Sequence, residues 1–325
     1  MKGIILAAGF GKRMGALTET LPKSLIPVIN KPILQHLIET LNQSGIDDFI
    51  IVVGHQKEQV ISFLNNFKKK DIKISIKVAK DFNKGPLYSF SSCMGEIENE
   101  EFILIPTDLL IEPSMLIELL QRSKNQKFTL AFDDRAIISP HTTVHISKTE
   151  QSPRILGITS NIIGGNSETK SLIPILICRI NFEPYIKLSL KANHTKVIDA
   201  IQLYLQEKND IFGLNVKEKY WFDLDTIEDV LKANKFLLNH LKENQQLLTN
   251  LNDNYRQNIS LNPPILIGKN CHFQNNCRIG PYVSIGDNTS CRTQVTLENA
   301  IILPNSIISN NVEIQNAIFF KEIYQ

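Results

Sequence analysis

Directly after the apolar residues 4–8 the chain reads Gly9-Phe10-Gly11-Lys12-Arg13-Met14-Gly15, and Lys23 follows in the stiff context Pro22-Lys23. Glycines placed after a buried strand let backbone N–H groups close around phosphate oxygens. Lys12, Arg13 and Lys23 offer positive charge to the same kind of anion. The plainer alternative is a tight strand-to-helix turn with solvated basic residues. Two generic phosphate motifs fail on spacing. A dinucleotide fingerprint needs G-x-G-x-x-G, and Met14 stands where its last glycine belongs; the string G-x-x-x-x-G-K-[ST] occurs nowhere in the chain.

Such a loop needs a platform. Residues 3–8 read as a buried strand, and so do 49–54, 74–79 and 102–108. Between the first two, Ile33, Leu34, Leu37, Ile38 and Leu41 fall at helical spacing, with Pro32 at a first-turn position. Further helices are expected over 57–67 and from about residue 86. Continuous apolar strands alternating with helices predict an α/β fold whose mainly parallel sheet is covered on both faces. Ligands of such sheets bind beyond the strand C-termini. Gly9, Gly54 and Asp108 all stand where a strand has just ended.

Residues 135–180 offer only short β-like segments. Order returns with a helix near 195–207, a strand over 211–216 and the stretch YWFDLDTIEDVLKANKFL at 220–237. There Thr226 is placed to cap a helix carrying Glu228 and Asp229 in its first turn. Residues 238–262 read as a continuing helix and a connector. From Pro263 the character changes. Read in sixes from Ile267, the units begin Ile, Phe, Ile, Ile, Cys, Leu and Leu, while Cys271, Cys277, Val283, Thr289 and Val295 recur four places later. A sustained period of six marks a hexapeptide parallel β-helix. The phase slips by one near the end, where Ile302, Ile308 and Ile314 carry it.

The totals narrow the classes. A net charge of +2 over 325 residues gives no basic footprint for nucleic acid. Five cysteines, an odd number with no C-x-x-C pair, suit reduced thiols better than a disulfide framework or zinc site. No apolar run reaches membrane-spanning length, and residues 4–8 are too short for a signal-peptide core. A cytoplasmic protein without membrane partners is expected. His36, His55 and the run 68–70 read as core-edge or solvated groups.

The stretches LAAGFGKRM and PKSLIPVINKPIL together resemble the signature of the sugar-phosphate nucleotidyltransferases, L-A-A-G-x-G-x-R-[LM] followed by P-K-x-[LM]-x-P-[VI]-x-x-K-P. The resemblance covers the first 125 residues, residues 210–237 and the tail. It implies a Rossmann-like, mainly parallel sheet of the nucleotide-diphospho-sugar transferase type over 1–240, a helical linker over 241–262 and a short left-handed parallel β-helix over 263–325. It also implies joining of an NTP to a sugar 1-phosphate, giving an NDP-sugar and pyrophosphate. Carried over by residue, Leu6, Ala7, Ala8, Gly9, Gly11 and Lys12 match the nucleotide loop, and Lys80 and Gly85 match positions beside the base. Arg13 and Lys23 match the catalytic cations on the triphosphate. Asp108 and Asp223 match the metal-binding aspartates, with Asp225 a further candidate for the second role.

The chemistry suits that inventory. A phosphate monoester is already a nucleophile, so the transfer needs cations, a metal and alignment rather than a Ser–His pair. Mg²⁺ takes a few carboxylates together with phosphate oxygens and water. Three departures from the family pattern stand out: Lys80 replaces an amide or acid, with Pro86 after Gly85; the acceptor-side lysine is missing from RILGITSNI, leaving Arg154, Lys148 and Lys170 as substitutes; and in SLIPILICR Pro174 stands where a glycine near the sugar belongs. Neither base nor sugar is fixed by these residues. The alternative is a non-catalytic, nucleotide-sugar-binding regulatory or assembly subunit of the same fold. Such relatives usually lose the loop cations or metal aspartates that this chain keeps. The stacked coils or the linker helix would support a homo-oligomer.

Overall fold

The strand Lys2–Ala7 is apolar on both faces, with Ile4 and Ile5 fully buried, and it lies between two parallel neighbours. Asp48–Val53 runs beside it in register from Lys2↔Asp48 to Ala7↔Val53, and Phe102–Pro106 flanks the other side from Lys2↔Phe102 to Leu6↔Pro106. Lys73–Val78 adds a fourth parallel strand outside Asp48–Val53. This is the parallel sheet that the continuous apolar runs predict. The computed structural model describes residues 1–320 apart from 68, 70, 136–141, 148–152, 159–166, 208, 217 and 244–258. The linker expected over 241–262 therefore falls largely outside the described residues.

The chain forms two compact units, each drawn from separate stretches. One comprises Met1–Phe10, Pro22–Ser24 and Leu37–Trp221; the other comprises Gly11–Leu21, Leu25–His36 and Phe222–Gln325. The first holds a nine-stranded sheet. Beyond Phe102–Pro106 that sheet turns antiparallel through Ser167–Cys178, Thr143–Ser147 and Ile155–Ile158, in the region where the sequence shows no clear period. Phe128–Asp133 pairs with Ser167–Cys178, and the register shifts between Ile173 and Leu176. Pro174 lies in that gap and cannot donate to a ladder. Helices Pro86–Ser91, Glu183–Lys191 and Val197–Gln206 contribute Phe90, Ile186, Tyr204 and their neighbours to the core of this unit. The first of these begins where the sequence places a helix start, at residue 86.

The second unit contains the expected parallel β-helix. Val283 pairs with Ile265, 18 residues earlier, and Ala300 pairs with Val283, 17 residues earlier. One coil of three hexapeptides is thus followed by a coil one residue shorter, which is the phase slip seen in the sequence. Leading residues Ile267, Ile279, Ile285, Cys291 and Leu297 are all buried at the axis. The corners are taken by Asn270, Asn276, Asn288, Asn305 and Asn311 at φ between 54° and 63°, a conformation asparagine tolerates better than other side chains. Stacked amides join coil to coil: Asn270 Nδ2 donates to Asn288 Oδ1 at 3.1 Å, and Asn288 Nδ2 to Asn305 Oδ1 at 3.2 Å. Among the described residues, no helix is long and apolar enough to cross a membrane.

One close approach at the sheet's C-terminal edge has a measurable consequence. A Cβ on Gly54 would lie 2.6 Å from the Phe82 ring and 2.8 Å from the Ala8 carbonyl oxygen. Overpacking of this kind costs about 1–3 kcal/mol. Gly54→Ala is expected to lower stability by that amount in urea unfolding.

Candidate active site

The first unit brings strand ends together. The Thr107 N–H and hydroxyl both donate to the Leu6 carbonyl, at 3.2 and 3.1 Å, and the His55 N–H donates to the Ala8 carbonyl at 3.0 Å. Ala7 and Ala8 are buried in this edge, Leu6 is half-buried, and Gly9 is exposed with nothing near its Cα on the side-chain face. The Phe10 ring packs 5.0 Å from both His55 and Phe82. Asp108 follows Thr107. Lys23 Nζ donates to its Oδ2 at 3.1 Å; the lysine side chain is 11% exposed and the aspartate 31%. Burial shields this pair far better than a surface ion pair.

Gly85 opens helix Pro86–Ser91 at φ 132°, and a Cβ there would strike the Thr195 carbonyl at 2.6 Å. Packing against Thr195 therefore demands glycine at this position, independent of any ligand. Lys80 is exposed after the strand Lys73–Val78. Of the substitutes for the acceptor-side lysine, Arg154 faces Asp210 at 3.7 Å and Lys170 pairs with Glu168 at 3.0 Å. Lys148 lies outside the described residues.

The second unit holds the basic loop. Gly11 takes the left-handed conformation at φ 64°, and the chain coils into a short turn, Lys12–Met14, closed by the Met14 N–H on the Gly11 carbonyl at 2.8 Å. Met14 is 1% exposed and anchors the turn, while Lys12 and Arg13 face solvent. The Thr18 hydroxyl donates to the Gly11 carbonyl at 3.1 Å. Arg13 forms an ion pair with Asp225. Asp223 and Asp225, both half-buried, place carboxylate oxygens within 4.8 Å of each other. Hard oxygen donors at this separation suit a divalent cation such as Mg²⁺. Helix Ile227–Glu243 starts immediately afterwards. Its first turn is closed by Thr226 and Asp229: the Asp229 N–H donates to Thr226 Oγ1 at 3.2 Å, and the Thr226 N–H to Asp229 Oδ2 at 3.0 Å.

One group escaped the sequence reading. Asp133, at the end of Phe128–Asp133, accepts the Trp221 indole N–H at 2.8 Å and the forked guanidinium of Arg135 at 2.7–3.0 Å. Arg135 also donates to the Lys219 carbonyl at 2.7 Å. Residues 219 and 221 are thereby fixed just before the strand Trp221–Asp223 delivers its aspartate. Burial pushes the Asp133 carboxyl up, but the Arg135 and Trp221 hydrogen bonds outweigh it and hold the group below its ordinary value of 3.8. No thiol competes as a nucleophile among the described residues. Burial pushes Cys93 and Cys178 to about 12 and raises Cys271, Cys277 and Cys291 as well.

Comparison with known proteins sets this arrangement in a class. Residues 3–159 match the MobA-like NTP transferase domain, and residues 261–322 match the GMPPB C-terminal domain. A crystal structure of UDP-glucose pyrophosphorylase with UDP-glucose shares the fold with a TM-score of 0.61, covering 74% of this chain and 98% of that one at 20% identity. A mannose-1-phosphate guanyltransferase of Hypocrea jecorina is 27% identical over 286 residues, 83% of this chain and 74% of the relative. The bifunctional protein GlmU of Methanococcus maripaludis is 24% identical over 99% of this chain and 74% of its own length. The chain is thus similar to nucleotidyltransferases acting on sugar phosphates over most of its length, at 24–27% identity to these two relatives.

The Asp133 clamp predicts an acid dependence. A carboxyl lowered by folding stabilises the native state above its ordinary value, and that stability is lost as pH falls through the lowered one. Asp133→Asn is expected to cost about 1.5–3 kcal/mol at neutral pH, the range for hydrogen bonds to a charged group. The same change should remove part of the acid-dependent loss seen in the parent. Urea titrations at neutral and acid pH read both effects.

Proposed function

We propose that this enzyme transfers a nucleotidyl group from an NTP to a sugar 1-phosphate, with Mg²⁺ held by Asp108, Asp223 and Asp225. The observation that carries the reading is the pairing of cations with carboxylates. Lys23 rests on Asp108, and Arg13 rests on Asp225. Two of the acids wanted by a metal are thus held by bases wanted by a phosphate.

In the reaction an oxygen of the sugar 1-phosphate attacks the α-phosphorus, and the bond from that phosphorus to the bridging oxygen breaks, its electrons leaving with pyrophosphate. No general base is required, because the attacking oxygen is already anionic. Lys23 and Arg13 take the charge that builds on the leaving pyrophosphate. Backbone N–H groups of residues 9–11, with Lys12 beside them, hold the phosphates. Leu6, Ala7 and Ala8 form the floor under the nucleoside, and Lys80 and Gly85 line its base. A divalent ion, when bound, neutralises phosphate oxygens and favours the in-line arrangement. GTP with mannose 1-phosphate is the first pair to assay, since the Hypocrea jecorina relative is a mannose-1-phosphate guanyltransferase.

The test sets the purified protein with each NTP against a panel of sugar 1-phosphates and scores pyrophosphate. Release with Mg²⁺ and none after chelation is expected. Binding of NTP without release from any pair overturns the reading. Asp108→Asn should lower kcat about 100-fold or more, as expected for loss of a preorganised electrostatic group. Lys23→Ala should raise the KM for NTP as well as lowering kcat. An Asp108→Asn variant with parent activity removes that residue from the metal set.

A further inference from the structure

The short hairpin Pro27–Val28 and Lys31–Pro32 turns on Ile29 at φ 45° and Asn30 at φ 60°. Two successive left-handed residues form the type I′ turn, whose usual occupants are Asn-Gly or Gly-Gly. A β-branched residue at the first position is strained, and such strain persists only where the surroundings over-determine the backbone.

Here they do. The Ile29 N–H donates at 2.9 Å to Oδ1 of Asn234, in the helix Ile227–Glu243. The same oxygen accepts the Ser284 hydroxyl at 2.8 Å, and Asn30 Nδ2 donates to the Ile285 carbonyl at 2.7 Å. Ser284 and Ile285 belong to the β-helix strand Val283–Ile285. Asn234 is 1% exposed and Ser284 is fully buried. On the other side of the turn, His36 Nε2 meets the Val28 carbonyl at 2.9 Å, and the Ile33 N–H donates to the Ile26 carbonyl at 3.1 Å. The junction is not cheap, because Asn234 Nδ2 and Asn30 Oδ1 are buried without a hydrogen-bond partner. Leftover buried polar atoms oppose stability. A network that bears this cost fixes an orientation rather than merely gluing two surfaces.

We propose that Asn234 and Ser284 are positioning residues for the nucleotide site, acting through the strained turn on the segment that continues from Lys23. Residues 24–26 join Lys23 to the hairpin. The β-helix thereby helps to set the grip on the triphosphate and is more than an appended oligomerisation module. The functional half of this inference rests on the nucleotidyltransferase reading given above.

The experiment uses the full chain with Asn234→Ala and, as the milder change, Ser284→Ala. Amide hydrogen exchange over residues 25–33 reads the tether without reference to activity. Steady-state kinetics reads the KM for NTP, the KM for sugar 1-phosphate and kcat. Asn234→Ala should speed exchange at Ile29 and raise the KM for NTP, each roughly tenfold, as loss of one well-formed hydrogen bond implies. The KM for sugar 1-phosphate should stay within about twofold, a split that simple loss of folded protein does not produce. Ile29→Gly, added to Asn234→Ala, removes the strain and should restore most of the KM for NTP. Unchanged exchange in both single variants overturns the proposal, and so does faster exchange with an unchanged KM for NTP. A parent protein that releases no pyrophosphate from any pair sinks the functional reading instead, while the exchange pattern still decides the tether.

Discussion

The parallel ladder around Lys2–Ala7 is the constraint on which the first unit depends. A strand hydrogen-bonded on both sides and packed on both faces cannot slip by one residue without exchanging the side chains fitted to its two faces. Its register with Asp48–Val53 and Phe102–Pro106 fixes three strand ends relative to one another. The Thr107 and His55 bonds to the Leu6 and Ala8 carbonyls extend that order one residue past the strands. Gly9, Gly54 and Asp108 leave the sheet from this edge as a consequence of the pairing. Residues that leave this edge start from backbone hydrogen-bonded on both sides, which suits a site where a positional error of one ångström is costly.

Charge is managed by mutual neutralisation. In the first unit Lys23 is paired with Asp108, and in the second Arg13 is paired with Asp225. The two pairs differ in setting. The Lys23 pair is sheltered, whereas Arg13 is 71% exposed and gains little from its partner. Arg13 is therefore the easier of the two to recruit.

Much of this was legible from residue order. Apolar runs fixed the parallel strands, because a strand buried on both faces has no polar positions to disguise it. The period of six exposed the β-helix down to the one-residue slip. The helix cap at Thr226 followed from local spacing. The antiparallel extension was obscure, since Ser167–Cys178 alternates poorly and is interrupted at Pro174. The Asp133 clamp and the Asn234 junction were invisible for another reason. Trp221 is 88 positions from Asp133, and Ile29 is 205 from Asn234, so no local pattern links the partners. The sequence FDDR at 132–135 marks an acid beside an arginine at a strand end, but nothing in it names tryptophan as the third member.

The separation of the hairpin from its anchors also bears on how the chain is born. Asn30 leaves the ribosome 255 residues ahead of Ile285, to which it is bonded in the finished protein. At synthesis rates of about 5–20 residues per second, the turn waits on the order of 10–50 seconds for its partner. During that interval only the local bonds within residues 26–36 act on the unfavourable backbone conformation, without those to Asn234 and Ile285. The hairpin is thus among the earliest parts translated and among the last to gain its full set of hydrogen bonds.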